Sequence, residues 1–176
     1  MPAAPSADLP TRAPGATSSV LTYRTGISDA NAAGDVHGGW IMKLCDDVAV
    51  IAAARHSGSL VVTLAVDGVL FRNPVKVGNV VTLKAMVNAA WTSSMEVGVR
   101  VEAENPRTGE TCHTLTAYFT MVALDERGRP AAVPQLSPQT PDDARRWHEA
   151  NLRRQIRLAD PDDLRRRLDE PVEAGS

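Results

Sequence analysis

The spacing of hydrophobic positions changes along the chain, and each change predicts an element. Val20 to Ile27 forms a short strand candidate. Trp40 to His56 contains no Gly or Pro, and Ile41, Met42, Leu44, Cys45, Val48, Ala49, Val50 and Ile51 leave it few polar positions. This predicts a helix of about 16 residues, apolar nearly all round and so expected to be buried. From Leu60 the pattern turns strand-like. Leu60 to Phe71 is a long β run broken by Asn73-Pro74, and Val80 to Ala90 is the next. Met95 to Ala103 alternates, with Met95, Val97, Val99 and Val101 set against Glu96, Arg100 and Glu102. Asn105 to Gly109 reads as a turn, and Thr111 to Leu124 as the last strand. The order β-α-β-β-β-β, with one buried helix against a mostly antiparallel sheet, is an α+β layer architecture.

The flanks read differently. Residues 1–19 carry Pro2, Pro5, Pro10 and Pro14 among Ala and Ser, and are expected to be disordered. Residues 20–138 form the folded domain and end in a turn-rich passage from Asp125. Residues 139–176 form a charged helical tail that Pro161 interrupts. The total of 176 residues fits one domain with extensions. Aromatics make up only 4%, so Val, Ala, Leu and Ile must build the core. A net charge of −2 argues against a nucleic-acid partner. The arginines from Arg145 to Arg167 are interleaved with acids and read as a solvated helix face. No apolar run approaches the roughly 20 residues of a membrane span, and the N-terminus lacks a secretory core. A cytoplasmic location with no membrane partner is therefore expected. Cys45 and Cys112 lie in apolar segments and read as two reduced thiols; neither has metal-ligand spacing, so no metal is expected.

Candidate chemistry gathers where the loop Asp29 to His37 runs through Gly38-Gly39-Trp40 into the helix. A loop-to-helix junction exposes free N–H groups at the positive end of the helix dipole, and glycines let a ligand oxygen approach. The same glycines could serve only a tight turn. Asp46 lies almost two turns further in, with Met42, Ala49 and Val50 among its i±3 and i±4 neighbours. A carboxylate kept on such a helix needs a partner or a task. It could be a catalyst, a core hydrogen-bonder or surface-facing. Asp47 points about 100° away and sits four residues after Lys43, a spacing that suits an ion pair. His37 reads as structural more readily than catalytic. No Gly-x-Ser-x-Gly, Gly-x-Gly-x-x-Gly or phosphate loop is present.

Asp29 to Pro138 resembles the acyl-CoA thioesterases of the hotdog fold, in which an antiparallel sheet wraps a long central helix. The likeness is greatest to the C-terminal half of the cytosolic (brain-type) acyl-CoA hydrolases. It is carried by Val36-His37-Gly38-Gly39, Met42-Lys43-Leu44 with Asp46, Ala53-Ala54-Arg55-His56, Val66-Asp67 with Phe71, Ser94-Met95-Glu96 and Val133-Pro134-Gln135-Leu136. The resemblance implies a homodimer, commonly three dimers in a hexamer, with sites at the dimer interface. It also implies an Asp on the central helix, here Asp46, and an Asn from the other protomer, here Asn31. Val50 departs from the Gly usual at that position.

On this reading Asp46 activates water, or attacks directly through an anhydride. The carbonyl takes N–H bonds at Gly39 and Trp40, and Asn31 polarises it or orients the water. The CoA nucleotide is expected on Thr92, Ser93 and Ser94. Coenzyme A enters as part of the substrate, and no other cofactor is required. An acyl-CoA-binding sensor without hydrolysis is the alternative. A dehydratase would need a His partner for its acid, and only His37 is placed to supply one.

Overall fold

The computed structural model of the protein describes residues 9–159. A 3-10 turn at Pro14–Thr17 leads into β1 (Ser19–Arg24), and a second at Ile27–Asp29 precedes α1 (Gly38–Ser57). Four strands follow: β2 (Leu60–Phe71), β3 (Val80–Ala90), β4 (Ser94–Glu104) and β5 (Thr111–Leu124). The last described element is α2 (Pro141–Ala159). The strands form one antiparallel sheet in the order β1-β3-β4-β5-β2. The boundaries of β2, β3 and β5 are those expected from the residue pattern. β1 is shorter, stopping at Arg24 before Thr25 and Gly26.

Alternate side chains of the sheet make the core. Val81, Leu83, Val87, Val97, Val101, Leu115 and Met121 face α1 and meet Ile41, Cys45, Val48, Ala49 and Ala52. The small residues of α1 let the helix sit close to the strands, which is how so few aromatics suffice. The helix is not buried all round as its composition suggested. Met42, Lys43, Ile51 and Arg55 face outward.

α2 lies across the opposite face of the sheet. Its Arg153 binds Glu96 of β4, which is wholly buried (0% exposed), at 2.7 and 2.9 Å, and packs over the Tyr118 ring at 3.6 Å. Its Arg157 pairs with Asp67 of β2. The expected disordered N-terminus is packed from Arg12 onward. Arg12 bridges Leu136 and donates to the Arg55 carbonyl near the end of α1, and Thr17 is buried. Residues 1–8 and the tail from 160, including the interruption at Pro161, lie outside the described residues.

Candidate active site

Asp46 stands at the ninth position of α1, in a stripe with Met42 and Val50 that faces the β2 edge of the sheet. Val61 is buried, and two residues on Thr63 points the same way, toward α1. Thr63 Oγ1 donates to Asp46 Oδ1 at 2.5 Å. The pairing of β2 with β5 shifts register between Thr63 and Ala65, so the strand bulges immediately after the hydroxyl that holds the carboxylate. Asp46 is half-buried, open on one side and fixed on the other. Asp47 behaves as its spacing foretold, taking Lys43 Nζ at 2.7 Å on the exposed face. Next to Asp46, the Cys45 thiol is buried. Desolvation, reinforced by the Asp46 charge, pushes it up to about 12, so it remains protonated and unreactive.

Thr63 went unnoticed in the sequence. The available signal was a lone hydroxyl within Val61-Val62-Thr63-Leu64, at a position of core-facing parity.

The helix N-terminus corrects one expectation. α1 begins at Gly38, and His37 is its N-cap: Nδ1 accepts the Gly39 N–H at 3.0 Å. Trp40 N–H is also spent, on the His37 carbonyl at 2.9 Å. Gly39 and Trp40 therefore have no N–H to offer a thioester. Both line a separate cleft beside Asp29 and Lys43. Gly38 faces the other way, into a cleft of about 330 Å³ with Asn31, Asp35, Ile41, Phe71 and Arg72. A Cβ at Gly38 would come within 3.2 Å of the Phe71 ring, which accounts for the glycine there. The His37 ring is committed to capping, so it forms no acid–base pair with the helix carboxylates.

Asn31 is held by its own loop. Its Oδ1 accepts from Ala33 N at 2.8 Å and Asp35 N at 3.2 Å, while its amide nitrogen donates to no group among the described residues. Among the described residues Asn31 and Asp46 share no hydrogen bond, and Asp46 is not among the residues lining the Asn31 cleft. The turn Thr92-Ser93-Ser94 is remote from Asn31. It follows Ala90, at the far end of β3 from the Asn31 loop, across roughly 35 Å of strand at about 3.3 Å per residue. Thr92 lines a cleft with Trp91 and Trp147, and Ser94 Oγ accepts from Arg154.

Residues 33–110 match the Thioesterase superfamily. Protein VdlD of Helicobacter pylori is 38% identical over 141 residues, covering 80% of each chain. The cytosolic acyl coenzyme A thioester hydrolase of Rattus norvegicus is 38% identical over 137 residues, which are 77% of this chain and 36% of that longer one. The uncharacterized acyl-CoA thioester hydrolase YkhA of Bacillus subtilis is 40% identical over 70% of this chain and 72% of its own. Among solved structures, an apo-hexameric acyl-CoA thioesterase superposes with a TM-score of 0.83 at 34% identity, covering 86% of this chain and 97% of that one. The Staphylococcus aureus acyl-CoA hydrolase, solved with butyryl coenzyme A and coenzyme A, gives 0.82 at 30% identity, covering 90% and 97%. The fold is that of the hotdog thioesterases, and the chain belongs to the acyl-CoA thioester hydrolases of the Thioesterase superfamily.

Proposed function

We propose that this protein hydrolyses the thioester of fatty acyl-CoA, with Asp46 and Thr63 of one protomer and Asn31 of its partner around the reacting carbonyl. The observation that carries the reading is the Asp46 carboxylate, held by Thr63 on a half-buried stripe that opens toward an unpaired sheet edge. Asp46 accepts a proton from water as the water oxygen attacks the carbonyl carbon. The tetrahedral intermediate then collapses, the C–S bond breaks, and the departing thiolate takes that proton back from Asp46, leaving free CoA, a fatty acid and the carboxylate restored. Asn31, with an amide N–H to spare, and the Gly38 N–H at the start of α1 face one cleft and can stabilise the developing oxyanion. Such a donor contributes about 2.7–4 kcal/mol to lowering the barrier. Thr63 is a positioning residue.

Two further observations support the assignment. The Staphylococcus aureus hydrolase has been solved with an Asn, an Asp and a Thr each replaced by Ala; those positions are 15 and 17 residues apart, as Asn31, Asp46 and Thr63 are here. β2 is one of the two edge strands and carries Leu60, Val62, Leu64 and Val66 exposed, with Leu64 at 67%; such an edge calls for a partner. Several solved relatives are hexameric, which accords with three dimers built on that edge. Among the described residues no helix is long and apolar enough to cross a membrane. The likeness to the cytosolic acyl coenzyme A thioester hydrolase supports a cytosolic location.

The test is CoA release from an acyl-CoA panel, acetyl to palmitoyl, followed with a thiol reagent. The wild-type chain should turn over at least one member. Asp46→Asn should lower kcat by about 10²-fold or more. Asp47→Asn should change it by less than about threefold, since an exposed ion pair is worth roughly 0–1 kcal/mol. No release from any substrate, or equal loss in both variants, overturns the proposal.

A further inference from the structure

The Asn31–Gly38 cleft meets a second one at Pro74, which lines both. The second, about 510 Å³, lies where the ends of β1 and β4 meet the start of β3 and the β4–β5 turn. Arg24, Lys76, Asn79, Arg107, Glu110 and Cys112 line it. Three cations therefore face one acid. Among the described residues, Arg24 and Arg107 make no ion pair and no side-chain hydrogen bond. Neither does Arg72, which lines the first cleft. Among the described residues only one other arginine, Arg127, is similarly unengaged. The three described lysines are all ion-paired: Lys43 with Asp47, Lys76 with Asp35 at 2.6 Å, and Lys84 with Glu102. Three of the four guanidinium groups left idle among the described residues thus line these two clefts, which share Pro74.

Guanidinium groups supply planar pairs of N–H donors that match phosphate oxygens, so cations left unpaired around a concave surface mark an anion site. Acyl-CoA requires such a sequence of surfaces. Its thioester end is neutral, its nucleotide end carries a diphosphate and a 3′-phosphate, and a flexible neutral arm separates the two. A neutral polar cleft opening into a basic one matches that order of groups.

We propose that Arg24 and Arg107 bind the phosphates of the CoA moiety while the thioester occupies the adjoining Asn31 cleft. The inference rests on the acyl-CoA reading above and assigns the nucleotide end of that same site. It moves the nucleotide away from Thr92–Ser94. There the nearest cation, Arg154, is already engaged, with its guanidinium 4.3 Å from the centre of the Trp91 ring and one N–H on Ser94.

The experiment is steady-state kinetics of the full-length double variant Arg24→Glu/Arg107→Glu on an acyl-CoA and on the matching acyl-pantetheine, which carries no phosphate. KM for acyl-CoA should rise about tenfold or more, the scale of losing charge-assisted hydrogen bonds. The kcat value and the turnover of acyl-pantetheine should stay within about threefold of wild type. Added salt should raise the wild-type KM and leave that of the variant nearly flat. An unchanged KM, equal losses on both substrates, or a KM that rises instead with Thr92→Ala/Ser94→Ala overturns the assignment. If charge reversal unfolds the chain, Arg24→Gln/Arg107→Gln is read by the same criteria. Calorimetric titration with CoA alone separates the two proposals. CoA binding that weakens in the arginine variants sustains the phosphate site even in a chain that releases no CoA, and binding that does not change refutes it even in an active one.

Discussion

At the scale of single residues, the site depends on how a few polar groups are held in apolar surroundings. Thr63 fixes Asp46 by one hydrogen bond, so Thr63→Ala should lower kcat with little change in KM, and Thr63→Ser, which retains the hydroxyl, should restore most of it. A Thr63→Ser variant as slow as Thr63→Ala would show that packing, not the hydrogen bond, is what matters. His56 is a second case. It is fully buried near the end of α1, its Nε2–H donates to the Pro134 carbonyl at 2.9 Å, and Nδ1 has no partner. Desolvation lowers its pKa below the ordinary 6.5; the Arg12 charge acts the same way, and the Pro134 bond only partly offsets both. The folded state thus holds the ring neutral where the unfolded chain protonates it. Stability from this group is full above the unfolded pKa and declines as pH falls through about 6.5 toward the folded value. Denaturant midpoints across pH 7.5 to 5 should show that decline in the wild type, and His56→Leu should flatten it. The same contact ties Val133-Pro134-Gln135-Leu136 to α1, because the segment receives the last buried polar group of the helix.

At the scale of elements, much was legible and the exceptions have causes. β2, β3 and β5 follow from alternating or continuous apolar runs bounded by Pro and Gly. α1 starts two residues earlier than apolar pattern alone indicates, because the His37 cap draws Gly38 and Gly39 into the first turn. That capping is invisible to periodicity, and it is also what removes Gly39 and Trp40 from the proposed oxyanion donors. The role of α2 was hidden for a different reason. Its arginines alternate with acids and read as solvated, but Arg153 is, among the described residues, the one cation on a buried Glu96, which also accepts from Asn88 Nδ2 at 3.0 Å. Asn88 reaches it by crowding over Gly98, where a Cβ would come within 2.6 Å of the amide. Arg153→Ala should destabilise the protein by about 3–5 kcal/mol, because it strands a buried carboxylate. Arg153→Met with Glu96→Met should recover much of the loss, and equal destabilisation by both would contradict this account. From Arg12 onward the N-terminal segment is packed rather than disordered, because Pro and Ala composition conceals specific contacts. Arg12 reaches the Arg55 carbonyl, and Arg55 in turn donates to the Ser18 carbonyl at 2.9 Å. Deleting residues 1–16 should therefore lower Tm measurably, whereas a disordered leader would leave it unchanged.

At the scale of the whole molecule, the proposed arrangement gives each chain two half-sites. Asn31 and Gly38 open into one cleft, while Asp46 and Thr63 face the β2 edge. A two-fold axis along that edge would cover its exposed apolar residues and bring each Asn31 toward the partner's carboxylate, making two equivalent sites. The consequence can be tested by complementation. Asn31→Ala and Asp46→Ala are each expected to be nearly inactive as pure preparations, since every site carries a lesion. When the two are mixed after partial unfolding and reassembly, a heterodimer contains one site with both lesions and one with neither. Random reassortment at equal mixing makes half the dimers mixed and half of their sites intact. Activity should therefore return toward about a quarter of wild type if the sites act independently. The measurement is CoA release together with a mass-based count of heterodimers. Verified heterodimers with no recovered activity would mean that Asn31 and Asp46 work within one chain or do not belong to one site.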